Sequence, residues 1–84
     1  MTHSLKSWPG EFEAVRTGVK THEVRCNDRD FKLGDFLILE EWVPVGDDCT
    51  EGRFTGRSVL RTITYITPGG SWGLGEKICV LSIK

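Results

Sequence analysis

Lys20, Glu23 and Arg25 fall within the stretch Gly18-Val19-Lys20-Thr21-His22-Glu23-Val24-Arg25, where a glycine turn leads into residues that read as a strand. Side chains alternate along a strand, so Glu23 and Arg25 share one face, and Lys20 joins them if it still belongs to the turn. A carboxylate then lies between two cations. Such a group can bind: Lys20 and Arg25 meet phosphate, arginine with a two-pronged contact, and Glu23 accepts hydrogen bonds from an amino group on a base edge. It can also be read as catalytic machinery, with Lys20 and Glu23 as the candidate residues. Glu23 would serve as a general base on water only if burial raised its pKa, and the neighbouring cations lower it. The charges therefore favour binding. The plainest alternative is a solvated strand whose charges pair with one another, contributing ~0–1 kcal/mol.

The elements that must position these groups can be read in order. Residues 3–6 read as a first strand, and if it lies beside the motif strand, His3 and Lys6 line the same cleft. Ser7-Trp8-Pro9-Gly10 marks a corner, because proline suits the first helical position and pushes the residue before it to an extended geometry. Trp8, Phe12 and Val15 give an apolar face to a helix over 9–17, with Gly18 placed to stop it. Glu11 and Glu13 near its start and Arg16 near its end suit the helix dipole. Trp8 is either a core anchor or a stacking platform.

Residues 26–30 and 31–35 are turn chemistry, and they add Asn27 and Arg29 to the candidate binding residues. The run 36–43 predicts a strand buried at its start and exposed later. Residues 44–56 predict a long polar connection, and 57–67, rich in Val, Ile, Thr and Tyr, predict the longest strand. The loop 68–75 carries four glycines around Trp72. It has no lysine followed by serine or threonine, so it is not a P-loop; Trp72, like Tyr65, could stack on a base, or it could pin a turn to the core. A last strand spans 77–83. These elements predict one α+β domain over 1–84: a small mixed β-barrel of about five to six strands with one short N-terminal helix.

The formal charge of -1 excludes the uniformly basic surface of a non-specific DNA binder. Residues 16–32 are nevertheless rich in cations, 35–51 hold six acids and no lysine or arginine, and the chain turns basic again from Arg53. Folding could bring the basic segments together and leave an acidic lobe. Cys26, Cys49 and Cys79 are widely spaced with no Cys-x-x-Cys pair, so reduced thiols and no metal site are expected. Cys79, in an apolar run, reads as core, and Cys49, in the polar connection, as the thiol more open to solvent reagents. No apolar run is long enough for a bilayer, and Met1-Thr2-His3-Ser4-Leu5-Lys6 lacks the apolar stretch of a secretion signal. A cytoplasmic location and no membrane partner are the expectation.

Glycine, any residue, lysine, two residues, glutamate, any residue, arginine is the motif of ASCH domains, relatives of the PUA RNA-binding fold. A helix-like segment precedes it here, Asn27-Asp28-Arg29 follows it, and Leu33-Gly34-Asp35 leads into an apolar run. In that order the pattern covers nearly the whole chain and resembles a small ASCH-like family of single-domain proteins from bacteria and their phages. The resemblance implies a PUA-like topology, no cofactor, and a cleft for single-stranded RNA, a nucleoside or a nucleotide. Some small ASCH relatives are amidohydrolases that remove the acetyl group from acetylated cytidine, using a lysine of the motif and a threonine three residues later. This sequence keeps Lys20 but has Glu23 at the threonine's position, and Thr21 falls on the other face, so a nucleophile is missing. A third reading is a protein-interaction domain whose acidic hairpin, 40–51, meets a basic partner that nothing in the sequence identifies. On the binding reading, Lys20→Ala and Arg25→Ala are expected to weaken RNA binding and leave the melting temperature nearly unchanged.

Overall fold

The structure, a computed structural model, describes residues 1–46 and 50–84. Its elements are β1 (Thr2–Ser7), α1 (Pro9–Arg16), β2 (His22–Cys26), β3 (Phe36–Val45), β4 (Glu51–Thr67) and β5 (Ile78–Ile83). They make one five-stranded sheet in the order β1-β3-β4-β5-β2, with β1 parallel to β3 and the other pairs antiparallel. The fold is therefore a small α+β domain with one short helix and a mixed sheet, and the sheet is not closed. No ladder joins β1 to β2, which corrects the expectation of a barrel. Side chains bridge these two edges instead: Arg25 Nη2 donates to Lys6 O and Arg29 Nη1 to Ser4 O, both at 2.6 Å.

β4 makes this shape possible. Its residues from Glu51 to Thr62 pair with β3, and those from Ile63 to Thr67 pair with β5. At the change of partner the register slips between Ile63 and Tyr65. Residues two apart on a strand normally share a face, yet Ile63 is buried and Tyr65 is exposed, because the bulge inserts Thr64 between them.

The polar connection expected over 44–56 is mostly strand. Pairing continues to Val45 on β3 and resumes at Glu51, with the glycines used as ladder devices rather than turns. A Cβ on Gly52 would come within 2.4 Å of the Trp42 ring, so only glycine lets the ribbon close over that indole. Gly56, at φ 94, lies where the register shifts opposite Glu41, a left-handed bulge residue. That shift also corrects the burial expected for β3. Leu37 and Leu39 are inside, Phe36 is exposed at the start, and the bulge lets successive Glu41 and Trp42 both turn inward. Asp47, Asp48 and Cys49 lie outside the described residues.

The core gathers Leu5, Val15, Phe31, Leu37, Leu39, Ile63, Cys79, Leu81 and Ile83. α1 adds fully buried Phe12, while Trp8 is half exposed and is not a core anchor. Of the acids of 35–51, Asp35 and Glu41 are buried and do not belong to a surface lobe. Glu41 is buried and accepts from Thr55 Oγ1 at 2.7 Å, with Arg57 Nη1 at 3.6 Å. Asp35 is buried with His3, whose Nε2 donates to Oδ2 at 2.8 Å while its ring stands edge-on to Phe31. No helix among the described residues is long and apolar enough to cross a membrane.

The His3 contact, aided by the Lys32 backbone N–H, lowers the Asp35 carboxyl from 3.8 to about 2. A depressed folded pKa means that the carboxylate's contribution to stability is complete above the unfolded value near pH 4 and disappears as pH falls through about 2. Thermal unfolding followed across that range should show the wild type losing stability steeply. Asp35→Asn should melt lower at pH 7 and lose less on acidification, and parallel pH curves for the two proteins would contradict this role.

Candidate functional site

β2 is an edge strand, and the side chains near its free edge face the end of β1 and the start of α1. Across the sheet, Ile66, Leu81 and Glu23 are paired in one row. Leu81 in that row is fully buried, so Glu23 is a carboxylate at an inward position, 4% exposed. Lys20 arrives from the turn after the helix, where its backbone N–H donates to Ala14 O at 2.9 Å. Lys6, Ser7 and Trp8 come from the end of β1 and the corner beyond it. Together with Glu11, His22, Val24 and Arg25 these residues enclose a hollow of about 430 Å³.

The charges in this cleft are mostly paired. Arg25 donates from Nε to Glu23 Oε2 at 3.2 Å, and its Nη2 lies 3.1 Å from the same oxygen. Lys20 Nζ donates to Glu11 Oε2 at 2.5 Å and stands 3.8 Å from Glu23 Oε1. The Lys20 hydrogen bond and charge hold the Glu11 carboxyl below the ordinary carboxylate range. Lys6 places its ammonium 4.6 Å from the centre of the Trp42 ring, a cation–π contact.

Two polar atoms are exceptions. Glu23 Oε1 and Ser7 Oγ are buried and have no hydrogen-bond partner among the described residues. Leaving a buried polar group unsatisfied costs about 1–3 kcal/mol. Both belong to residues that line the cleft, so a ligand entering it could relieve that cost.

The structure brings together Lys6, Trp8, Lys20, Glu23 and Arg25 of the sequence candidates. It does not bring the others. His3 is on the inner face of β1 with Asp35. Asn27 is exposed beyond the end of β2, its backbone N–H donating to Lys77 O. Arg29 lines a neighbouring hollow with Cys26. Tyr65 is on the outer face of β4, and Trp72, at a left-handed φ of 53, projects into solvent from the glycine-rich loop. Ser7, Glu11 and His22 were absent from the sequence candidates. Ser7 could have been found from alternation with His3 and Leu5, since all three are inward positions of β1; Glu11 was legible only as a partner of the helix dipole.

The Arg25 guanidinium serves the fold as well as the cleft, so a larger stability loss is expected of its alanine variant than the sequence alone suggested. Arg25→Ala removes the bridge to Lys6 O and strips a buried carboxylate of its hydrogen-bonded partner. Denaturant unfolding should register a loss of about 2–4 kcal/mol, between a lost charged hydrogen bond and an orphaned buried charge. Adding Glu23→Ala should recover part of that loss. An Arg25→Ala protein as stable as wild type would refute the structural role.

Residues 2–83, which contain the whole cleft, match the family described as Domain of unknown function (DUF3850). The chain is also similar to a protein of Escherichia phage P2, "Uncharacterized 12.9 kDa protein in GpA 3'region", with 40% identity over 70 residues. The alignment covers 83% of this chain and 58% of the phage protein, so the chain spans under two thirds of that relative's length. Neither match carries the ASCH name, which stays with the motif.

Proposed function

We propose, for a chain that belongs to the DUF3850 family, that the cleft beside β2 binds a nucleobase with an exocyclic amino group, in single-stranded RNA or a free nucleotide. The observation that carries this reading is the pair of buried atoms without a hydrogen-bond partner among the described residues, Glu23 Oε1 and Ser7 Oγ, on residues that line a hollow with three cations; Lys20 Nζ, 3.8 Å from Oε1, is too far to donate to it. Arg25 occupies Oε2, so Oε1 is the carboxylate oxygen left to accept. The amino groups of cytosine and adenine are donors of the required kind, and a serine hydroxyl adjusts to donate or accept beside them. A volume of about 430 Å³ is within the usual range of ligand pockets, and half-exposed Trp8 offers a face for stacking. An ASCH-like, PUA-related class is part of the proposal. The glycine–lysine–glutamate–arginine spacing supports it, and an open sheet with side-chain bridges between its edges is compatible with it.

One observation favours the amidohydrolase reading. The hydroxyl missing three residues after Lys20 has a counterpart in Ser7, which lines the same cleft. Binding is still preferred, because Ser7 Oγ has no hydrogen-bonded base among the described residues to activate it. The protein-interaction reading loses its apolar hint: Trp42 is buried under Gly52, and Asp47 and Asp48 lie outside the described residues.

Calorimetric titration with cytidine and uridine tests the proposal, since uracil offers its edge donor between two carbonyl oxygens that a carboxylate repels. Cytidine should bind about tenfold or more tighter than uridine, the value of one buried hydrogen bond to a charged group. Ser7→Ala and Glu23→Gln should each reduce that preference, with the serine variant keeping the Arg25 contact intact. Equal affinity for the two nucleosides, or no binding of either, would remove the reading. Release of cytidine from acetylated cytidine by the wild type, abolished in Ser7→Ala, would move the assignment to the amidohydrolase.

A further inference from the structure

We infer that the second hollow, between the edges of the open sheet, is a phosphate subsite, so that the ligand of the cleft is a nucleotide or strand rather than a bare nucleoside. This rests on the reading of the cleft as a nucleobase site. The hollow encloses about 250 Å³, and Arg25 lines both it and the cleft. Arg29 and Asp28 are its other charged residues, and the buried Leu5 and Phe31 form its apolar part.

Both guanidinium groups are fixed by backbone acceptors. Arg25 Nη2 donates to Lys6 O and Arg29 Nη1 to Ser4 O. Carbonyls two residues apart on a strand point the same way about 7 Å from each other, so the two oxygens that anchor the guanidinium groups are spaced by that much. A phosphate accepting hydrogen bonds of ~2.8 Å from both sides fits such a gap. Arg25 Nη1 and Arg29 Nη2 have no acceptor among the described residues, so each arginine keeps donors in reserve. Asp28 does not consume them: its Oδ1 is 3.9 Å from Arg29 Nε and its side chain is 71% exposed. Glu23 already balances Arg25, which leaves the charge of Arg29 for an anion. The donors are pre-placed, and little side-chain ordering is required on binding.

The test titrates cytidine, its 3′- and 5′-monophosphates and inorganic phosphate into wild-type protein and Arg29→Gln, with NMR of the arginine Nε–Hε signals alongside calorimetry. Glutamine removes the charge and, being shorter, the bridge to Ser4 O, so a melting curve of the variant accompanies the titrations to check that the fold is kept. One monophosphate should bind at least about tenfold tighter than cytidine, a gain typical of a charge-assisted contact. Arg29→Gln should remove that gain without changing the affinity for cytidine, and inorganic phosphate should shift the Arg25 and Arg29 signals. Monophosphates no tighter than cytidine, or a gain that survives Arg29→Gln, would overturn the subsite and leave the base cleft standing. Failure of cytidine to bind, with phosphate still shifting both arginines, would count against the cleft and for the anion site; phosphate shifting neither signal would overturn the subsite.

Discussion

The Arg25 guanidinium is the constraint on which the rest depends. It takes Glu23 Oε2 with one set of donors and Lys6 O with another, linking a buried carboxylate on one sheet edge to the backbone of the opposite edge. A mixed sheet of five strands has unpaired groups at both ends. Here the edges turn towards each other, and arginine side chains answer carbonyls that a closed barrel would pair with N–H groups. Such a bridge leaves gaps between its contacts. The cleft and the smaller hollow are those gaps, and Arg25 borders both.

Much of the frame was legible because it follows from local rules. Proline at the first helical turn and apolar residues at spacings of three and four locate α1, and the strands read over 3–6 and 77–83 fall within a residue of β1 and β5. The long connection was misread because Gly52 and Gly56 look like turn residues. One is there so that backbone can cross Trp42, and the other serves a bulge. Both are decided by a partner strand on the far side of the ribbon. Tyr65, read as a stacking candidate, depends on the same kind of partner: a register slip against β5 puts Ile63 inside and the ring two residues later on the outer face, away from the cleft. Closure of the sheet was also beyond sequence, since it turns on whether two distant edges meet by backbone or by side chain.

The motif residues were legible because they are close in sequence. Lys20, Glu23 and Arg25 sit within one turn and one short strand, so alternation alone brings them near each other. Ser7 and Glu11 enter from a strand and a helix that approach only after the sheet has formed. His3 failed for the opposite reason. A histidine on a strand beside the cleft looked like a lining residue, but His3 lies near the start of β1 and Ser7, on the same inward face, at its end by the cleft, and the buried Asp35 gives the ring a partner there.

The charge arrangement also constrains what affinity can be made of. A cation gains little from an anionic ligand if it must first give up a buried partner, because that partner is then left without compensation. Arg25 is in that position with Glu23, while Lys20 is paired with Glu11, whose side chain is 58% exposed and can turn to water at small cost. The exchangeable charges are thus Lys20 in the cleft and Arg29 in the neighbouring hollow. The strongest unmet demand is for a donor at Glu23 Oε1. On the proposed reading, a near-neutral chain built this way would select by the hydrogen-bond pattern of a base edge first and by phosphate second, whereas a basic surface would bind nucleic acid of any sequence through the phosphates alone.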